Sequence, residues 1–331
     1  MPKQPTGHTM IIITGAAGFI GSGLTALFNQ QNRTDLILVD DFTNYDKRKN
    51  LLNKHYLGWV HRGAFLSWIH SNYQNVEMIF HLGARTDTTD FSTEIFDRLN
   101  LHYSQEVWNI CSLYQIPLVY ASSAATYGKG EQGYKDSHQL PQTLHPLNPY
   151  AVSKNEFDKW ALGQQKSPPV WYGLKFFNVY GPNEYHKKRM ASVVFHAFNQ
   201  IQQTGKVKLF KSHRPDFEDG KQLRDFIYVK DIADVCYWLY RYKLPASGLY
   251  NLGTGNARTF IDLAHVVFSA MNLNPNIEFT DMPADIRESY QYFTEADITK
   301  LLHAGYYTPL TTLEEGVTNY VQQYLTPGEY W

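Results

Sequence analysis

Short apolar runs recur along the first half of the chain, with room for a helix between each pair. Residues 10–14 (MIIIT), 36–40 (LILVD), 78–82 (MIFHL), 117–121 (PLVYA) and 171–177 (WYGLKFF) are nearly unbroken apolar stretches of strand length. Strands covered on both faces do not alternate polar and apolar positions, so these runs predict a parallel sheet. Residues 20–30 and 104–114 space their apolar positions at the helical period. The alternation predicts an α/β fold, a Rossmann-type doubly wound parallel sheet with helices on both faces. After Asn178 the rhythm loosens. Residues 183–189 and 213–221 are polar or charged and read as loops, and 212–222, with Pro215, Gly220 and several charges, reads as a mobile lid. Residues 249–252 read as a late strand returning to the sheet, and 261–271 and 313–324 as helices. That return predicts two interleaved lobes. One is a dinucleotide-binding unit of residues 10–177 and 226–252; the other is a smaller α/β substrate-binding unit of residues 178–225 and 253–331.

Composition narrows the class. A chain of 331 residues can bury a large core. A net charge of -1 and a pI near 6.9 give no global field to attract nucleic acid. The two cysteines, Cys111 and Cys236, lie in apolar surroundings and read as buried thiols rather than a disulfide framework. No apolar run is long enough for a membrane span, and the polar first nine residues lack the apolar region of a secretory signal. A cytoplasmic enzyme fits these facts, with no membrane insertion and no metal expected. The 24 Tyr and 7 Trp supply rings that suit sugars and nucleobases as well as core packing.

The first candidate site is Gly15-Ala16-Ala17-Gly18-Phe19-Ile20-Gly21, between the first strand and a helix. Glycines there permit a tight turn and let backbone N–H groups approach a pyrophosphate at a helix N-terminus. Asp40, followed by Asp41, closes the second strand, where a carboxylate accepts hydrogen bonds from ribose hydroxyls and favours NAD. Lys47, within Asp46-Lys47-Arg48-Lys49, and Arg62 offer charge for a 2′-phosphate, which favours NADP. The residues alone leave both cofactors open.

The second candidate is Tyr150-Ala151-Val152-Ser153-Lys154, whose Tyr and Lys share one face of a helix. A phenol with a pKa of about 10 is a poor base at neutral pH, and an ammonium beside it favours phenolate. Such a pair can take a proton from an alcohol while hydride leaves the same carbon. The spacing also fits an amphipathic helix with a half-buried Tyr and a solvated Lys. Upstream, Ser122-Ser123-Ala124-Ala125-Thr126-Tyr127-Gly128 ends a strand. Ser123 can hydrogen-bond the substrate oxygen beside Tyr150, with Thr126 as a helper.

The glycine loop, Asp40, Ser123, Tyr150 and Lys154 occur in the order and on the elements of the extended short-chain dehydrogenase/reductase superfamily of nucleotide-sugar epimerases and dehydratases, which the chain resembles. Residues 176–182 (FFNVYGP) and 224–231 (RDFIYVKD) are similar to two further segments of that superfamily, with Lys175 where an Arg is usual. Residues 178–196, 290–297, 122–128 and 251–255 together look like the ADP-L-glycero-D-manno-heptose 6-epimerase family, from about residue 10 to 324. The resemblance implies NADP-dependent epimerisation at C6″ of ADP-D-glycero-β-D-manno-heptose through a 6″-keto intermediate, a step that provides heptose for the lipopolysaccharide core. It implies a second acid/base, Lys187, whose pKa burial and the cations Lys154 and Lys188 lower. It extends the cofactor contacts from the glycine loop, Asp40, Asp41, Lys47 and Arg62 to Leu82, Gly83, Ala84, Arg85, Thr86, Asn100, Lys154, Val179 and Lys187. For substrate it implies Ser123, Asn178, Arg189, His196, Phe210, Lys211, Ser212, His213, Arg224 and Tyr290. It also implies a homo-oligomer, a pentamer in the best-known members. Two departures bear on the substrate: Arg189 replaces a small Ser, and the 212–222 segment is longer than the family's. An epimerase of another nucleotide sugar, of the UDP-sugar 4-epimerase type, is the alternative. A dehydratase places an acid pair after the serine motif, and Ala124-Ala125-Thr126 has none. A non-catalytic dinucleotide sensor has no need of Ser123, Tyr150, Lys154 and Lys187.

Overall fold

The structure is a computed structural model that describes residues 9–88, 90–244, 246–287 and 290–331, so the polar N-terminal stretch lies outside the described residues up to residue 8. Seven strands form one parallel sheet: β1 (Met10–Thr14), β2 (Leu36–Asp40), β3 (Gly58–His61), β4 (Val76–His81), β5 (Leu118–Ser123), β6 (Trp171–Phe176) and β7 (Gly248–Leu252). Their order is β7-β6-β5-β4-β1-β2-β3. Ile12 of β1 faces Ile37 of β2 on one side and Ile79 of β4 on the other. The chain reverses its winding between β1 and β4, and such a switch point opens a crevice at the carboxyl ends of the strands.

Helices cover both faces. On one, Leu24, Leu27 and Phe28 of α1 (Phe19–Gln30) pack with Ile232, Val235 and Leu239 of a long helix, Val229–Tyr242, against Ile11 and Ile13. On the other, α2 (Arg62–His70), α3 (Tyr103–Tyr114) and α4 (Pro149–Leu162) bury Phe65, Trp108 and Phe157 against Ile12 and Ile79. Cys236 belongs to the first cluster and Cys111 to the second, so the sheet separates two free buried thiols.

A second lobe has its own apolar core. Val194, Phe198 and Ile201 of α5 (Val193–Thr204) meet Leu263, Val267 and Phe268 of the helix Phe260–Ala270 and Val317 and Tyr320 of the helix Leu313–Tyr320. With the helix Val229–Tyr242 as α6, these last two are α7 and α8. Ser192 caps α5 by accepting from the Phe195 N–H, and Thr259 with Asp262 and Thr312 with Glu315 form capping boxes on α7 and α8. Each such cap contributes about 1 kcal/mol. Three short strand pairs lie outside the main sheet: 178–180 with 226–228, 207–210 with 277–280, and 223–224 with 258–259.

The sheet, its parallel sense and the late return of β7 match the apolar pattern. Three differences have physical reasons. β3 is an edge strand whose residues alternate half-buried and exposed, so it carries no apolar run. The strand 226–228 enters α6 with no turn residue between, so no break in the sequence marks where the helix begins. Residues 185–190 form a 3₁₀ turn, kinked at Lys188 with φ 51° and ψ -124°.

Candidate functional site

The crevice at the switch point is a cleft of about 500 Å³ lined by the glycine loop, residues 82–87 and residues 186, 187 and 190. Gly15 has φ +68°, and a Cβ there would lie 2.6 Å from Cα of Gly83; a Cβ on Gly21 would lie 2.3 Å from the Gly15 carbonyl oxygen. Only bare backbone lets the loop after β1 fold onto both the residue 82–83 turn and the start of α1. α1 begins at Gly18 with no side-chain cap on its free N–H groups, and Gly18 lines the cleft. A backbone cradle at an uncapped helix N-terminus fits a dinucleotide pyrophosphate.

At the far end of the cleft, each cation has a carboxylate. Asp40 accepts from the Ala17 N–H at 2.9 Å, from its own neighbour's N–H at Asp41, and from Lys47 Nζ at 2.5 Å. Arg62 pairs with Asp41 at 3.0 Å. Lys47, Arg62 and Asp40 line the cleft, while Asp41 stands behind Arg62 outside the lining. Leu82, Gly83, Ala84, Arg85 and Thr86 line it too, as do Phe19 and Ile20. Asn100 is buried behind that wall. It lies in a π-helical turn, accepts from the Arg85 N–H at 2.8 Å, and donates to the Arg85 carbonyl and to Ser153 Oγ, which ties the wall to α4.

α4 starts with Pro149 after Asn148, whose side chain accepts from the Ala151 N–H at 2.9 Å. Tyr150 is half-buried on its first turn, and the Ser123 side chain hydrogen-bonds its hydroxyl. Lys154 donates to the Ala121 carbonyl at 2.8 Å, on β5 just before Ser122 and Ser123. Thus β5 and α4 bring Ser123, Tyr150 and Lys154 together, although none of the three lines the cleft or the second cavity described below. Burial pushes the Tyr150 phenol above its ordinary value, the Ser123 hydrogen bond opposes this, and Asp158 adds to it. Lys154 is not among the causes, contrary to the expectation that it lowers the Tyr150 pKa; desolvation brings the Lys154 ammonium itself down to about 8.

Below these residues lies a buried polar group that spacing did not predict. Asp158 accepts from Tyr120 at 3.0 Å, Ser122 at 2.7 Å and Lys175 at 2.7 Å. The Lys175–Asp158 pair is almost wholly shielded from water, with side chains 1% and 0% exposed. Lys175 also donates to Thr126 at 2.8 Å, and Thr126 in turn donates to the Ser123 carbonyl. Thr126 is fully buried, so its part is to hold the strand end rather than to touch a substrate oxygen.

Lys187 lines the cleft from the kinked turn 185–190. Its Nζ sits 5.1 Å from the Phe19 ring centroid, a cation–π contact that ties it to the glycine loop. Burial lowers its pKa and the buried Glu184 carboxylate opposes that. Lys154 and Lys188 are not among the causes. Next to it, burial and the charges of Lys47 and Lys187 bring the His186 imidazole down to about 4, so it is neutral at physiological pH. His186, Met190, Asp87 and Tyr103 line the cleft without having been expected from the sequence.

A second cavity, of about 480 Å³, lies in the other lobe. Asn178, Val179, His196, Phe210, Arg224 and Tyr290 line it, so Val179 faces this space rather than the dinucleotide cleft. The buried Arg224 guanidinium lies 5.1 Å from the Tyr290 ring and 5.6 Å from that of Phe260, with N–H groups donated to the carbonyls of Leu223 and Gln291. Asp225 is the hub behind it, accepting from Thr254, Gly255 and Ala296. Lys208, Gln222 and Phe260 also line the cavity. Lys211, Ser212 and His213 do not: Lys211 pairs with Asp281 on the surface, Ser212 accepts from the Arg214 N–H, and the His213 N–H reaches the Tyr292 hydroxyl. Arg189 is exposed, with its guanidinium 3.6 Å from Asp87 and its carbonyl against His196.

Residues 11–253 match the NAD dependent epimerase/dehydratase family. The chain is 45% identical over 326 residues to a protein of Fusobacterium nucleatum named ADP-L-glycero-D-manno-heptose-6-epimerase, a match that covers 96% of this chain and 98% of the relative. Among solved structures, the ADP-L-glycero-D-manno-heptose-6-epimerase of Helicobacter pylori aligns with a TM-score of 0.79 at 26% identity, covering 96% of each chain. A UDP-N-acetylglucosamine 4-epimerase from Methanobrevibacter ruminantium aligns at a TM-score of 0.81 and 21% identity over 97% of this chain and 99% of that one, and shares the fold.

Proposed function

The chain belongs to the NAD dependent epimerase/dehydratase family, and on that premise we propose that it inverts C6″ of ADP-D-glycero-β-D-manno-heptose. The observation that carries this reading is the course of residues 178–196. They line the second cavity with Asn178 and Val179, pass the dinucleotide cleft with His186, Lys187 and Met190, and return to the second cavity with His196. One stretch of chain thus connects a space for a dinucleotide with a space for a nucleotide sugar and carries an amine of lowered pKa between them. The names of the Fusobacterium and Helicobacter relatives support the same sugar.

The glycine loop, Asp40, Lys47 and Arg62 would hold the dinucleotide. When bound, the nicotinamide would supply the hydride acceptor and donor needed to pass C6″ through a 6″-ketone and invert it. Tyr150 takes the proton of the 6″-hydroxyl as the ketone forms, and Ser123 hydrogen-bonds the same oxygen. Lys187 serves the other face. Its lowered pKa increases the fraction of free amine able to exchange a proton with that oxygen. Lys154, buried under Tyr150, supplies positive charge below its pKa of about 8. Lys47 and Arg62 at the adenosine end favour NADP, although each already pairs with a carboxylate, and NAD also fits the cradle. Residues 10–177 and 226–252 would form the cofactor unit, and 178–225 and 253–331 the sugar unit.

NMR of purified protein with ADP-D-glycero-β-D-manno-heptose tests the reading. Inversion at C6″ without added nicotinamide is expected, and mass spectrometry of nucleotide released on denaturation should identify NADP. No inversion, or inversion of a UDP-sugar at C4″ in its place, would overturn the proposal.

A further inference from the structure

Asn50 lies in the 3₁₀ turn Lys49–Leu51, just after Lys47, and is fully buried. Its Nδ2 donates to the Ala17 carbonyl at 3.0 Å and to the Asn183 carbonyl at 2.9 Å, and lies 3.2 Å from Nδ1 of His186. An amide nitrogen carries two hydrogens, so the two carbonyls occupy both and the imidazole contact is shared. The Oδ1 of the same side chain is buried without a partner. A lone buried acceptor is a cost, and an apolar side chain of similar shape would remove it only by taking this donor away from the Ala17 and Asn183 carbonyls. What the asparagine provides is a pair of donors aimed at two different loops.

Both loops belong to the site. The Ala17 peptide in the glycine loop is gripped on both sides, its N–H by Asp40 and its carbonyl by Asn50. Asn183 is held from several directions: its Nδ2 donates to Ser22 Oγ of α1 and to the Trp331 carbonyl, its Oδ1 accepts from the Trp331 N–H, and its backbone sits at φ 76°. The turn runs on from there to Lys187, whose N–H donates to the Glu184 carbonyl at 2.9 Å. Resting on the epimerase reading above, we propose that Asn50 is a positioning residue for the reaction. It fastens the Lys187 turn to the glycine loop, so that the second acid/base and the cofactor cradle keep one relative position.

Asn50→Leu keeps the branched outline, with added bulk, and removes both donors. The expected result is turnover reduced at least tenfold, with KM for the sugar nucleotide within twofold of wild type. The limb of the kcat–pH profile that reports loss of the Lys187 proton should move to higher pH, because a loosened turn admits water and relieves the burial that lowers that pKa. Hydrogen exchange followed by mass spectrometry should quicken in residues 183–190 and 15–20 and stay unchanged elsewhere. Unaltered kcat and pH profile, or exchange quickened throughout the chain, overturns the proposal. Asn50→Asp, which keeps the shape and also lacks the donors, replaces the leucine variant if that one does not fold. Failure of both to fold makes Asn50 a folding residue and overturns the proposal equally. A wild-type protein that does not invert C6″ refutes the epimerase reading, whereas the exchange measurement needs no substrate and still decides whether Asn50 joins the two loops.

Discussion

Beneath Tyr150 the protein is a closed set of side-chain bonds among three regular elements, whereas around Lys187 it is a kinked turn held at a few points. Asp158 on α4 accepts from three side chains of β5 and β6, and Lys175 reaches back through Thr126 to the strand end that carries Ser123. Every member of that group is in the core. At the cleft, the stretch that carries Lys187 is held by Asn50 at Asn183, the lysine itself lies near the Glu184 carboxylate and Phe19 of the glycine loop, and the residue after it adopts a backbone conformation suited to glycine. The proposed acid/base on the helix is preorganised by the fold. The proposed partner on the turn is preorganised by a few polar contacts, so it is the half that local substitutions should disturb without unfolding the protein.

The sharpest way to break this comparison is at the two groups themselves. Tyr150→Phe should lower turnover about 10³-fold while the protein keeps its nucleotide, as measured by NMR of C6″ inversion and by mass spectrometry of the released cofactor. Activity within tenfold of wild type would remove Tyr150 from the chemistry. Next in size is a contrast in stability. Lys175→Met strands the Asp158 carboxylate in the core and should cost about 3–5 kcal/mol in urea unfolding. Lys187→Met should change stability by less than about 1 kcal/mol while impairing turnover. Equal losses from the two would mean that the turn is as much a part of the core as the floor. The smallest effect is expected at the kink: Lys188→Gly should relieve the backbone at φ 51° and raise stability by about 1 kcal/mol. A lower melting temperature for that variant would show that the lysine side chain outweighs the backbone.

The same division explains what the sequence made readable. The sheet is legible because its inner strands are buried on both faces and therefore apolar throughout, as Ile11, Ile12 and Ile13 are. The cradle is legible because bare backbone at Gly15 and Gly21 leaves a spaced glycine signature. Tyr150 and Lys154 are legible because a helix fixes the spacing of residues on one face. Lys187 and the lining of the second cavity have no such period. Asn178, Phe210 and Arg224 come from short strands, His196 from the first turn of α5 and Tyr290 from a loop, and resemblance to a family, not spacing, singles them out. Asn50 gave no signal at all, since one polar residue in a charged stretch looks like surface until Ala17 and Asn183 are seen closing over it. In the sequence Lys175 stands out only as a residue in the place of an Arg, and its pairing with Asp158 depends on β6 lying beside β5.

The stretch 178–196, which lines both cavities, also limits how this enzyme can diverge. A change that reshapes the second cavity at Asn178 or His196 pulls on the same stretch that holds Lys187, so under the proposed function substrate preference and proton delivery are inherited together. Exchanging a lone pocket residue with a relative of different specificity should therefore yield crippled hybrids. The natural unit of exchange is the whole segment, transplanted with Asn50 and the residues that fasten it.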